Sequence, residues 1–205
     1  METCSHLAVT SDGAPEDGAL ARNQAARRRR VLDATLALAD KGGFEAVQMR
    51  DVAAEAGVAL GTVYRYFSSK ERLLLEANVG QVEALGAGLL DDPPTGESAS
   101  DRVVDVLRRA CAVLVKRPEA TAAMVRALGS AQPNEAEAVR RVSQAMTAII
   151  TGAMHEGEPT ERDRAVARAL SQVWLSSLIG WVGGVDGPEV VGDDLERATR
   201  MLVEG

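Results

Sequence analysis

Apolar positions recur at three- and four-residue intervals over most of the chain and nowhere alternate as a half-buried strand does, so the pattern predicts an all-α fold. From Asn23, read as an N-cap, Val31, Leu32, Ala34, Leu36, Leu38 and Ala39 form a helical stripe that stops at Gly42-Gly43. A short second helix is predicted from Met49 to Ala56, burying Val52, Ala53 and Ala56, and Gly57 offers the left-handed conformation of a tight turn. A third helix runs from Leu60 to Phe67. Ser68-Ser69-Lys70-Glu71 reads as a capping box for a fourth, apolar at Leu73, Leu74, Ala77, Val82 and Leu85. Asp91-Asp92-Pro93-Pro94-Thr95-Gly96 is the clearest break. Beyond it, helical spacing returns near 100–116, 119–130, 135–155, 161–182 and 194–203, with Pro118, Asn134, Thr160 and Asp193 where helices start. The expected organisation is a flexible tail at 1–20, a three-helix unit at 21–70 and a larger helical unit at 71–205.

With 205 residues, 46% hydrophobic and 26% charged, the chain can bury one good-sized core or two modest ones, which excludes disordered, collagen-like and disulfide-scaffold classes. Cys4 and Cys111 lie far apart and form neither a disulfide framework nor a metal-binding pair. The first residues carry no basic and apolar run of the kind a signal peptide has. The longest uncharged stretch, 169–185, contains Ser171, Gln172, Ser176, Ser177 and glycines, which fits a buried helix better than a membrane span. A cytoplasmic, membrane-free protein is expected. The net charge of −7 divides unevenly: residues 1–20 hold four acids and no base, 21–80 are net +3, and 81–205 are net −6. A small basic segment joined to a larger acidic one suits a double-stranded DNA reader with an appended sensing or assembly domain, because only the reader meets phosphate.

The stretch from Phe44 to Lys70, FEAVQMRDVAAEAGVALGTVYRYFSSK, combines a short helix, a glycine turn and a second short helix, the order of a helix-turn-helix whose second helix enters the major groove. On that helix Leu60, Val63 and Phe67 share one face and are expected to pack inward. Gly61, Thr62, Tyr64, Arg65 and Tyr66 are left largely outward, where hydroxyls, guanidinium and ring faces can meet phosphates, base edges and thymine methyls. Lys70, in the first turn of the next helix, can hold a phosphate together with free backbone N–H groups. Of the run Arg27 to Arg30 about two can face DNA at once, and Arg27 and Arg28 are assigned that role. Gln48, able to read adenine but a poor helix cap, and Arg50 beside it complete the DNA-facing set.

The pattern AxxAGVxxGTVYxYFxSK after an arginine-rich first helix resembles the TetR family of bacterial transcriptional regulators, strongly over residues 24–75. The resemblance implies DNA contact by Thr62, Tyr64, Tyr66 and Lys70, with Arg65 among them. VQMR, AGVALGTVYRYF, GEPTE and VWLSSLIGW are further similar to the KstR-type repressors of sterol (cholesterol) catabolism in actinobacteria. That likeness implies an all-helical homodimer on a palindromic operator, released by a sterol-derived acyl-CoA thioester, with no other cofactor.

The residues themselves show only that an apolar pocket can exist. Leu114, Met124, Leu128, Met146, Ile149, Ile150, Trp174 and Leu178 are its candidate lining, although each also suits a plain core position. Leu170, Trp181, Leu195 and Leu202 are the candidate dimer interface, buried across a two-fold axis in a four-helix arrangement. His6 and His155 lack the partners of a metal site, so no metal is expected. No GxSxG, HExxH, Walker loop or GxGxxG stands in the right context, and the expectation is no catalytic residue and no enzyme. Two alternatives stay open: a helical acyl-CoA or lipid carrier that ignores DNA, and a regulator of the same fold that answers a different small apolar or drug-like effector, acts as an activator, or has no effector.

Overall fold

The computed structural model describes residues 14–155 and 157–204, and every element among them is helical. The first helix, α1 (Ala14–Ala46), carries a break at Gly42 and Gly43 where the glycine pair was expected to end it; Gly43 sits at φ 63° and ψ −153°, a conformation open to glycine alone. Residues 14–20, expected as tail, are instead its opening turns, and Asn23 lies inside the helix. Proline within a first turn followed by two acids is a helix-start signature that the scarcity of apolar residues hid. The remainder of the expected tail, 1–13, lies outside the described residues.

Helix α2 (Met49–Glu55) and helix α3 (Leu60–Tyr66) are joined through Gly57 at φ 62°. Val52, Ala53, Ala56, Val63 and Phe67 close onto Val31, Ala34, Ala39 and Phe44 of α1 in one core. Leu60 is not part of it: at 39% exposed it sits in the first turn, beyond the edge that Val63 and Phe67 define.

Helix α4 (Lys70–Asp91) is shared between two cores, with Leu73, Leu74 and Leu75 in the first and Val82 in the second. Its N-cap is Ser69, whose hydroxyl oxygen accepts the Arg72 N–H at 3.0 Å. The reciprocal half of a capping box is missing; the Ser69 hydroxyl instead donates to Glu135 at 2.6 Å.

The larger unit contains α5 (Ala99–Val115), α6 (Pro118–Gly129), α7 (Ala136–Met154), α8 (Glu161–Val182) and α9 (Pro188–Val203). Pro118 and Thr160 mark their helix starts as expected, Thr160 with a complete capping box to Asp163. Asn134 falls in a 3₁₀ turn, Pro133–Glu135, ahead of α7. Helix α9 begins at Pro188 and places Asp193 in its interior, because proline after Gly187 starts the helix and Gly192 interrupts the apolar pattern that sequence reading depends on. At the far end of α7, Arg102 donates to the Ala153 carbonyl at 3.0 Å and to the Met154 carbonyl at 2.7 Å, satisfying acceptors that a helix end leaves open.

Candidate functional site

Helix α3 presents a sharply divided surface. Val63 and Phe67 are buried, Tyr64 is 54% exposed, Arg65 is exposed, and Thr62 and Tyr66 are half-buried. Tyr66 leans on the core with its ring centroid 6.2 Å from that of Phe67, while the Arg65 guanidinium lies 5.2 Å from the Tyr66 ring centroid. A methyl group at Gly61 would meet no atom of the chain within 4 Å. Packing within the chain therefore does not require glycine there, and the bare backbone is free for close approach from outside. Gln48 is exposed at the mouth of α2 and makes no side-chain cap; its amide nitrogen donates to the Glu45 carbonyl at 2.9 Å. Arg50 and Arg27 are exposed.

Two of the expected cations are engaged within the chain. The Lys70 ammonium sits 4.1 Å from the Phe44 ring centroid and 3.5 Å from the Glu45 carboxylate. Arg126 of α6 shares both partners, 4.3 Å from the same ring and 2.8 Å from the same carboxylate. Lys70 first and Arg126 second hold the Glu45 carboxyl below its ordinary value. Arg28, expected to face DNA, turns back instead: its guanidinium pairs with Glu76 and lies 5.6 Å from the Phe67 ring centroid. Glu76 is 3% exposed and also pairs with Arg72 at 2.9 Å and with Arg141 of α7. A buried carboxylate outweighs a solvated phosphate as partner for the nearest guanidinium, and nothing in an arginine run announces which member will find one. Glu45 and Glu76 were invisible to sequence reading because, Arg72 apart, their partners are distant in the chain.

Behind this unit, α4, α5, α6, α7 and α8 line a partly open apolar cavity of about 430 Å³. Leu114, Met124, Leu128, Met146, Trp174 and Leu178 line it as expected. Ile149 and Ile150 do not. Ile150 is fully buried in the core, and Ile149 sits against α4, its Cδ1 3.4 Å from where a Gly86 Cβ would stand, so the two helices close together just past Met146. Missed in the sequence were the polar lining residues Asn78, Gln81, Thr121, Ser143, Arg168, Ser171 and Gln172, whose signal was a polar side chain inside an otherwise apolar helical stripe.

The expected dimer residues divide. Leu170 and Leu195 are wholly buried within this one chain and cannot meet a partner; Trp181 and Leu202 are half-buried against the same core. Helix α8 has apolar residues on more than one side, and the side expected to face a partner packs on α9. Left uncovered are Leu175, Ile179 and Val182, at i, i+4 and i+7. Among the described residues no cluster of metal-ligating side chains occurs, and His155 instead pairs with Asp163 at 2.9 Å.

Compared with known proteins, residues 31–77 match the model of bacterial regulatory proteins of the tetR family, and residues 96–202 match the tetracyclin repressor-like C-terminal domain. The chain belongs to the TetR family. It is 40% identical to the HTH-type transcriptional repressor KstR of Rhodococcus jostii over 92% of this chain and 88% of that one. Among solved structures, a TetR transcriptional regulator from Rhodococcus sp. RHA1 is similar at a TM-score of 0.81 and 34% identity, covering 88% of this chain and 97% of that one. The fold is shared with the FadR repressor of Thermus thermophilus solved with lauroyl-CoA, at a TM-score of 0.67 and 21% identity, covering 87% and 94%. The chain is thus a TetR-type DNA-binding transcriptional repressor close to the KstR type, in which α2 and α3 are the helix-turn-helix. No described helix of this TetR protein is long and apolar enough to cross a membrane.

Proposed function

We propose that this repressor binds a palindromic operator as a cytoplasmic homodimer and leaves it when an acyl-CoA thioester with a bulky, sterol-derived apolar body fills the cavity. The observation that carries the reading is the double role of α6. Ala120, Ala123 and Ala127 belong to the core of the DNA-binding unit, while Thr121, Met124, Val125 and Leu128 line the cavity. A ligand that alters the lining acts on a helix already packed against α1, and a coupling of roughly 1–3 kcal/mol is the size such an arrangement transmits. Arg117 at the start of α6 binds Asp40 of α1 through two oxygens, at 2.9 and 3.0 Å, which fastens the two helices at one end.

On DNA, α3 supplies Gly61, Thr62, Tyr64, Arg65 and Tyr66, and the α4 N-terminus supplies Lys70 with its backbone N–H groups. Arg27, Gln48 and Arg50 flank them, and Arg28 serves by fixing the α1, α4 and α7 junction. Leu175, Ile179 and Val182 form the face for the second copy, which sets two recognition helices about one DNA turn, roughly 34 Å, apart. The test is fluorescence anisotropy of the purified protein on its own upstream DNA at fixed salt, with and without a sterol-side-chain acyl-CoA. Specific binding released by the thioester supports the reading; specific binding that ignores it discards the effector.

A further inference from the structure

Helix α6 reaches the DNA-reading unit at a second place, beyond its row of alanines. The glycine break sets Phe44, Glu45 and Ala46 apart from the straight run of α1, and α6 lies against that short segment. A Cβ at Gly43 would stand 3.3 Å from a carboxylate oxygen of Glu119, in the first turn of α6. Two turns further on, Arg126 lies over the Phe44 ring and binds Oε1 of Glu45 at 2.8 Å, while Lys70 lies over the same ring and reaches Oε2 at 3.5 Å. The Glu45 carbonyl also accepts the Gln48 amide. One residue thus touches an α6 cation and two side chains assigned to DNA. We infer that Arg126 is a positioning residue for DNA binding: by occupying Glu45 it leaves Lys70 available to an operator phosphate, and its withdrawal hands the carboxylate to Lys70. This rests on the proposed phosphate contact of Lys70 and gives the proposed effector a route to release DNA.

Charge and reach decide the direction of the effect. Glu45 is a single carboxylate facing two cations; the guanidinium takes it at hydrogen-bonding distance and the ammonium stays outside that distance. Lys70 therefore keeps its charge for the anion that the open N–H groups at the start of α4 already favour. Once the guanidinium is gone, Lys70 is the cation left at the carboxylate, and its flexible four-carbon stem closes the remaining gap. A lysine paired with a carboxylate of its own chain displaces no counterion from DNA and adds nothing to phosphate binding. Arg126 shares α6 with Met124, Val125 and Leu128 of the cavity lining, so a shift of the helix that repositions those side chains also moves the guanidinium.

The test measures affinity for the protein's own upstream DNA by anisotropy over a salt series, with no effector present. The full-length wild type is compared with Arg126→Gln, Glu45→Gln, the variant carrying both, and Lys70→Ala. Arg126→Gln is expected to bind about five- to tenfold more weakly, with the slope of log affinity against log salt smaller by about one, as for one lost phosphate contact. Glu45→Gln removes the carboxylate that draws Lys70 away, and in the double variant it is expected to restore both affinity and slope. A mere brace would not be repaired in this way, because the double variant still lacks the ion pair. Wild-type affinity in Arg126→Gln, or a loss that Glu45→Gln does not repair, overturns the inference alone. Unchanged affinity and slope in Lys70→Ala overturn the phosphate contact of Lys70 and the inference with it.

Discussion

Tyr64 on α3 and Phe67 at its C-cap stand three residues apart and answer to different partners. Phe67 is 2% exposed in the core, so Phe67→Ala is expected to cost about 3–5 kcal/mol in a urea melt. Tyr64 touches little of its own chain; Tyr64→Ala should move stability by less than about 0.5 kcal/mol and yet weaken operator binding at least about tenfold by anisotropy. Loss of stability without loss of DNA affinity would show that Tyr64 is a packing residue. Cys111 gives a second expectation at this scale. Burial pushes its thiol up to about 11, so a protein carrying Cys4→Ser should react with a thiol reagent at pH 8 only after denaturant is added. The contrast between Tyr64 and Phe67 was legible in the sequence because Phe67 continues the apolar face of Val63, four residues earlier, and Tyr64 is one position off that face. The fate of Arg28 was not, since only the fold brings Glu76 beneath it.

At the scale of elements, helix existence was legible and helix junctions were not. The apolar period marks where a helix packs, so α2, α3, α6 and α8 were found with close boundaries, while α9 was entered late because its first turns carry Gly192 and acids. The cluster at Glu76 joins α1, α4 and α7 through three guanidinium groups, and no local pattern encodes it. Glu76→Gln removes the one carboxylate they share; the expected cost is on the order of 3 kcal/mol, read as a shift of the denaturant midpoint with an unchanged slope. The junction of α7 and α8 carries a pH dependence of defined sign. His155 first, then Thr160, hold the Asp163 carboxyl well below the usual carboxylate range. A lowered folded value means that Asp163 stabilises fully above its unfolded value near 3.8 and loses this as pH falls further. The stability gap between wild type and Asp163→Asn should therefore shrink as pH falls from about 4 toward about 2.

For the whole molecule, the unequal charge of the two units was the sequence feature that pointed to DNA despite a net charge of −7. The uncovered stripe on α8 was less legible, because Leu170 and Ile179 are equally apolar in sequence and only the packing of α9 tells which of them is spoken for. Ile179→Glu places a charge at the centre of that stripe. The expected result is a monomer by sedimentation velocity, with unchanged helicity and a large loss of affinity for a two-half-site operator. A dimer that persists in this variant moves the interface elsewhere. The two faces of α6 carry a consequence for engineering. Because Ala120, Ala123 and Ala127, with the Arg117–Asp40 and Arg126–Glu45 pairs, hold the helix to the DNA-reading unit, Met124 and Val125 can be exchanged without disturbing that seam. A library confined to those two positions is expected to reshape the cavity while the surface that reads DNA stays as it is.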